Sequence, residues 1–590
     1  MKKMKYDLCF FIMRTFYIPV LMLLMLAACN QRPQAVIPEW IPYNESEEIA
    51  GNADHESVKM RFRLIQSRVL DKNELWRVVE PQLGKFTEED YQRLKPLILG
   101  QDIPTLQSHI CTGDLTYEQL TQWYLYRIVK FENDRNKMLN AIVAINPHAV
   151  TEARAKDREL ARFRARDRRI EEQEGAALHL IFGMPILVKD NIGVEGMPTT
   201  AGAHVLKDNF TKDAAIIANI RNRGGIILGK TNLSEWANYL FNGGPNGFSA
   251  IGGQTLNAYG RRIFDTGGSS SGSGVAMAAG YAAACIGTET SGSILSPSGK
   301  SSVVGLKPTV GLLDRSGIVP LAGTLDTPGP MAGTVVDNAI LFWAMGGDLS
   351  QDEWFAGLTK SLEAVMAAEG SLQKGEKGLT EERKTGLPEG IRFGVNKKML
   401  QNPLYKEQVG ILTSLGGIAV EFEPIETDLS GFGTLLSGDM KIDLPAYLEQ
   451  YAPDPVTIRT IGEIVAYNKL DSLVRIPYGQ EIFEEMAALE ITSQALGQIR
   501  ERIQLEGRRY FETPMDTYQL DVILSVDNLE AAYAAAANFP CLIVPMGYTE
   551  NKGPTGLTFI ARSFEESRLL QIGYAFEQAT RARKLPPDYQ

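Results

Sequence analysis

The residues that could do chemistry concentrate between positions 267 and 297. This stretch opens Gly267-Gly268-Ser269-Ser270-Ser271-Gly272-Ser273-Gly274, passes through apolar residues 275–286, and closes Thr288-Glu289-Thr290-Ser291-Gly292-Ser293-Ile294-Leu295-Ser296-Pro297. The pattern predicts two glycine/serine-rich turns around one small-residue helix of about three turns. A serine in such a turn becomes a nucleophile only when a base takes its proton. Gly268-Ser269-Ser270-Ser271-Gly272 fits the Gly-x-Ser-x-Gly elbow with Ser270 at its centre, but that device needs an acid and a histidine later in the chain. The histidines are His55, His109, His148, His179 and His204, and none follows. Lysine can replace histidine where burial keeps it neutral. Lys189 follows apolar Ile186-Leu187-Val188 and is the candidate base. On position alone, a surface lysine at a strand exit is the better account of it.

Two other readings fall away. Gly224-Gly225-Ile226-Ile227-Leu228-Gly229-Lys230-Thr231 matches the phosphate-binding P-loop pattern. Its Ile-Ile-Leu interior predicts a strand, whereas a P-loop needs a flexible loop followed by a helix. A Gly/Ser linker at 267–274 would join independent units, yet this stretch runs straight into an Ala-rich apolar segment.

The elements that must position these residues read as an α/β layer structure. Residues 57–129 are helical in pattern, with Thr116-x-x-Gln119 as a capping box and Leu120, Trp123, Tyr124 and Ile128 on one face. Residues 149–170 form a charge-laced helix whose basic run at 162–169 reads as a solvated face. Helix and short apolar strand then alternate from about 183 to 346, which predicts an α/β layer structure with a largely parallel central sheet. Residues 347–388 read as a surface excursion and 430–515 as mostly helical. Strands resume at 391–395, 522–526 and 541–545, and residues 563–581 close the chain as an amphipathic helix. The expected division is 1–28 signal peptide, 29–55 tether, 56–135 N-terminal helical region and 136–590 catalytic domain, with the catalytic core at about 180–345.

Composition bounds the partners. The formal net charge is −11 over 590 residues, with 44% hydrophobic and 22% charged residues. Such a chain can bury a large core without disulfide or metal staples. An acidic body is a poor match for nucleic acid, whose binding rests on neutralised phosphates. Cys111, Cys285 and Cys541 show no paired spacing and read as buried free thiols. No CxxC or HExxH spacing is present and the chain has five histidines, so a His-rich metal site is not expected.

At the N-terminus, Lys2, Lys3, Lys5 and Arg14 precede an apolar run at 16–28, shorter than a membrane-spanning helix requires. Met13 offers an alternative start. Leu26-Ala27-Ala28-Cys29 resembles the lipobox of bacterial lipoproteins. The resemblance implies cleavage before Cys29, its diacylation, and a lipid-anchored protein of the bacterial cell envelope, on the periplasmic or outer-membrane side.

A set of motifs in order resembles the amidase signature family of amide hydrolases. They are Gly183-x-Pro185-x-x-x-Lys189-Asp190-Asn191, Gly229-Lys230-Thr231-Asn232-x-x-Glu235, Gly267-Gly268-Ser269-Ser270, Gly292-Ser293-Ile294 and Gly305-Leu306-Lys307-Pro308-Thr309. Pro545-x-Gly547 and Arg562-Ser563-Phe564-Glu565-Glu566 extend the match. The resemblance implies Lys189 as catalytic base, Ser269 as a serine after a cis peptide bond, and Ser293 as nucleophile. It also implies an oxyanion hole from the backbone N–H groups of Thr290, Ser291, Gly292 and Ser293, with no cofactor. The fold it implies is a three-layer α/β/α domain around a central mixed, largely parallel sheet. Gly-Ser-Ser-Ser-Gly-Ser with Gly-Thr-Glu-Thr is most similar to the peptide amidase branch, which implies release of ammonia from linear amides such as C-terminal peptide amides. Esterase activity on the same fold, or an inactive envelope-binding lipoprotein, are the alternatives. Glu289 and Leu295 stand where many members carry Asp and Arg, which leaves the bracing of the Ser293 turn open.

Overall fold

The computed structural model describes residues 37–167, 178–349, 355–356 and 386–590. The signal segment, Cys29 and most of the 347–388 excursion lie outside the described residues, as does part of the 162–169 basic run. Thirteen strands occur in chain order among the described residues: β1 Ile142–Ile145, β2 Pro185–Lys189, β3 Ile226–Thr231, β4 Phe248–Ser249, β5 Gly253–Gln254, β6 Ala284–Glu289, β7 Val304–Lys307, β8 Thr327–Ala332, β9 Arg392–Asn396, β10 Ile418–Phe422, β11 Val522–Val526, β12 Cys541–Tyr548 and β13 Pro554–Ile560. All but β4 and β5 form one sheet in the order β1-β3-β2-β6-β8-β7-β12-β13-β11-β9-β10.

The sheet is mixed, as expected, but less parallel than expected. Only β3–β2, β2–β6, β11–β9 and β9–β10 pair in parallel. The other neighbours are antiparallel. The reason is in the connections. Parallel neighbours need a long crossover, whereas β12 turns directly into β13 through residues 549–553, and β8 returns beside β7 from the loop at 308–326. Helices flank the sheet, and the four N-terminal helices Lys72–Leu83, Glu88–Ile98, Ile103–Thr112 and Tyr117–Glu132 share one continuous apolar core with its strands.

Two expectations are corrected. The apolar run at 275–286 is not one helix. The Ser271–Ala278 helix stops at Gly280, whose φ is +67°, and residues 284–289 become β6. Every residue of both elements is buried, so no face is polar and periodicity cannot separate helix from strand. The described end of the 29–55 tether, from residue 37 on, is packed rather than free. Ile37 and Trp40 are buried, the Trp40 N–H donates to Asn73 Oδ1 at 2.8 Å, and Asn52 Nδ2 donates to Met60 O and Arg262 O, both at 3.1 Å. A few apolar anchors outweigh the polar composition of this segment.

The helical region at 430–515 consists of Phe432–Tyr451, Ile461–Lys469, Ser472–Arg475, Glu481–Ala488 and Ser493–Tyr518, the last running on to 518. It forms a second apolar cluster with Val319, Leu321, Ala322 and Leu325 of the loop before β8. Cys111, Cys285 and Cys541 are buried free thiols. Residues 226–231 of the rejected P-loop match are strand β3. No helix among the described residues is long and apolar enough to cross a membrane.

Candidate active site

Parallel pairing of β2 and β6 sets the site. Val188 lies beside Ile286, so the two strands end together and bring Lys189 to Thr288. Lys189 is fully buried. Its Nζ lies 2.7 Å from Ser269 Oγ, 2.9 Å from Thr288 Oγ1 and 3.1 Å from Thr288 O. Asn191 Nδ2 also donates to Thr288 Oγ1, at 3.0 Å. Desolvation by burial lowers the Lys189 pKa to about 7, against the opposing pull of the Asp326 and Glu289 carboxylates.

The serine turns are stitched to each other by Ser270, which the elbow pattern would have made the nucleophile. Its Oγ donates to Thr288 O at 3.1 Å and accepts from Thr288 N at 3.2 Å. Its own N–H donates to Ser293 O at 3.1 Å. Ser270 is fully buried and its hydroxyl is committed to structure. The Gly268-Ser269 peptide bond is cis, as the resemblance implies. Gly268 must lack a side chain, because a Cβ there would sit 2.6 Å from Ser234 Oγ. The Ser269 carbonyl accepts from Ser234 N at 3.0 Å.

Ser293 follows β6 in a turn braced by Glu289. That buried carboxylate accepts from Gly292 N at 2.7 Å, Ile294 N at 2.6 Å and Leu295 N at 3.0 Å. This answers how the turn is held without an arginine at 295. It also corrects one expectation. The Gly292 N–H is taken by Glu289 and cannot serve the oxyanion, which leaves the amides of Thr290, Ser291 and Ser293. Ser293 keeps 8% of its surface exposed while Ser269 keeps none. The hydroxyls of Ser269 and Ser293 share no direct hydrogen bond in the structure. Such catalytic contacts commonly tighten only around substrate.

A cleft beside this constellation is lined by Asn191, Thr288, Thr290, Arg315, Leu321 and Asp326, among others. A larger cavity, about 760 Å³ between Trp40 and Asp71, contains none of the site residues. Sequence reasoning missed the roles of Thr288, Asn191, Glu289 and Asp326. The first three sit inside or beside the motifs already singled out; Asp326 carries no motif at all.

The sequence profile of the Amidase family matches residues 121–430. The chain belongs to the amidase family. It is 32% identical over 484 residues to a probable amidase of Arabidopsis thaliana, covering 80% of this chain and 88% of that protein. Among solved structures, an amidase family protein from Bacillus anthracis superposes with a TM-score of 0.75 at 34% identity, covering 88% of this chain and 99% of that one. Native peptide amidase from Stenotrophomonas maltophilia gives 0.70 at 32% identity, covering 82% and 98%. More distant curated relatives include a glutamyl-tRNA(Gln) amidotransferase subunit of Alkaliphilus metalliredigens, 28% identical over 502 residues, covering 78% of this chain and 93% of that one. The family establishes a general amide-hydrolase chemistry on this α/β fold.

Proposed function

We propose that this protein hydrolyses linear amides through Ser293, with Ser269 as proton bridge and Lys189 as base, and that its substrates are small amides carrying a terminal carboxamide, C-terminal peptide amides foremost. The observation that carries the reading is the set of partners around Lys189 Nζ. A neutral amine has two N–H donors and one lone pair. Thr288 O can only accept, so it takes one N–H; the second N–H and the lone pair face the Thr288 and Ser269 hydroxyls, each of which can accept or donate. The shorter of these two contacts, 2.7 Å, is to Ser269, and with Thr288 Oγ1 taking the second N–H the lone pair meets the Ser269 hydroxyl. A lysine held in this way is a base aimed at a serine.

The reaction follows. Ser293 Oγ attacks the amide carbonyl carbon. Its proton passes to Ser269 Oγ while the Ser269 proton passes to Lys189 Nζ. The carbonyl oxygen gains negative charge against the amides of Thr290, Ser291 and Ser293, each such donor contributing about 3 kcal/mol in the transition state. The relay returns the proton to the leaving nitrogen, ammonia departs, and an ester remains on Ser293. Water, deprotonated by the same relay, cleaves that ester and releases the acid.

Likeness to peptide amidase supports the substrate assignment. Likeness to the glutamyl-tRNA(Gln) amidotransferase favours a second reading, in which ammonia is passed to a partner protein. Ammonia release from a dipeptide amide by the purified chain without added proteins separates the two. Turnover supports hydrolysis; turnover of glutamine only, and only with partner proteins present, supports transfer. Activity on esters alone would remove the amide assignment. We further propose that the protein is anchored to the bacterial cell envelope through lipid on Cys29, on the strength of the Leu26-Ala27-Ala28-Cys29 motif. Radiolabelled lipid that remains on a Cys29→Ala variant would exclude this.

A further inference from the structure

The Ser293 turn is held at a second point, outside the motifs quoted from the sequence. The Thr290 hydroxyl donates to Asp326 Oδ1 at 2.5 Å. The other oxygen, Oδ2, accepts from Leu321 N at 2.8 Å and Ala322 N at 2.9 Å. Asp326 therefore closes its own loop with one oxygen and grips the head of the nucleophile turn with the other. That loop is pinned in turn to the helical region. Asp439 and Asp443 are four residues apart and share one face of the Phe432–Tyr451 helix. Asp443 Oδ2 accepts from Gly323 N at 2.7 Å. Asp439 accepts from the Thr324 hydroxyl and, at 3.0 Å, from Arg500 of the Ser493–Tyr518 helix. A Cβ at 323 would lie 2.5 Å from both Arg315 Nη2 and Asp443 Oδ2, so a side chain there would push one of them aside.

We propose that Asp326 is a positioning residue for the reaction, joining the nucleophile turn to the loop that the Phe432–Tyr451 and Ser493–Tyr518 helices pin, and setting the charge that Lys189 faces. The proposal rests on the assignment of Ser293 and Lys189 given above. The charged groups around Asp326 are Lys189 at the end of β2, Glu289 at the end of β6, Arg315 on the preceding loop, and Asp439, Asp443 and Arg500 on the two helices. Asp326 and Glu289 are the negative charges that favour protonated Lys189. Burial raises the Asp326 pKa to about 6, so it is charged where Lys189 titrates. Removing its charge makes the neutral base available at lower pH.

Two substitutions separate the charge from the tether. Asp326→Asn loses the charge and, with one carbonyl oxygen in place of two, accepts either from Thr290 or from Leu321 and Ala322 but not from both sides, so the pH limb and not the plateau reads the charge. Thr290→Val keeps the charge and loses the tether. In the full chain, with a dipeptide amide as substrate, Asp326→Asn is expected to move the acid limb of kcat/KM down by about half to one pH unit. Thr290→Val is expected to lower the plateau kcat about tenfold, with KM within threefold and the limb in place. An unmoved limb in Asp326→Asn, or a Thr290→Val plateau within twofold of the parent, overturns the proposal. Thr290→Val decides alone if Asp326→Asn does not fold. Ser293→Ala run in parallel keeps the two levels apart: activity surviving there removes the catalytic assignment, whatever Asp326 does.

Discussion

Lys189 is the residue on which the proposed chemistry turns, and its burial makes a prediction with a definite sign. Its folded pKa of about 7 lies below the 10.5 of free lysine. The base works only when neutral, so kcat/KM rises with pH through about 7 and then levels. The same shift acts on stability. Between the folded and unfolded values the unfolded chain binds the extra proton, so this group's contribution becomes more favourable to folding as pH rises from about 7 towards 10.5. Below pH 7 the fold must bury the charge. Lys189→Met is therefore expected to abolish turnover and to raise the thermal midpoint at pH 6, by about 2 °C. A scanning calorimetry midpoint that falls would contradict the account. Lys189→Arg, charged at every accessible pH, is expected to lose at least about a thousandfold in kcat. At this scale the sequence was informative. Position alone made Lys189 a surface lysine and the elbow pattern centred on Ser270; only the family resemblance pointed to Lys189, Ser269 and Ser293 together. Asp326 was illegible, since one aspartate in a loop has no spacing to mark it.

At the scale of elements, the β6 strand and the turn after it form one working part. Glu289, the last residue of β6, reaches forward to three amides of the turn. Glu289→Asp shortens the reach by one methylene and loses part of this bracing. The expected result is a ten- to hundredfold fall in kcat with a smaller change in KM, measured by steady-state ammonia release. Gly268→Ala forces a Cβ against Ser234 Oγ and is expected to destabilise the fold by about 1–3 kcal/mol in urea unfolding. The division of residues 275–286 into helix and strand was not legible, because a fully buried run shows no polar face. The bracing by Glu289 was hidden for another reason: a carboxylate capping its own following turn leaves no periodic trace.

For the whole molecule, the N-terminal segment is structural. Phe62, Leu64 and Ile65 are buried, and Ile65 O accepts from Gln254 N at 2.9 Å and Asn140 Nδ2 at 3.0 Å. Removing residues 1–70 is expected to lower the thermal midpoint by at least about 5 °C, while removing 1–28 leaves it within about 1 °C. Equal midpoints would show the segment to be dispensable. Composition alone gave the wrong impression here. Prolines, asparagines and glutamates at 33–48 suggest a free tether, yet Ile37 and Trp40 dock against the body. The overall α/β order was legible from alternating helix and strand patterns. The antiparallel half of the sheet was not, since strand direction depends on where each connection returns.

The central claim is that Ser293 is the attacking group. Its most direct test is the rate of ammonia release per molecule from a dipeptide amide, comparing the chain from residue 29 onward with its Ser293→Ala variant. The account predicts steady turnover by the parent at pH 8 and background release by the variant, with unchanged thermal midpoints. Turnover by Ser293→Ala within tenfold of the parent would contradict it.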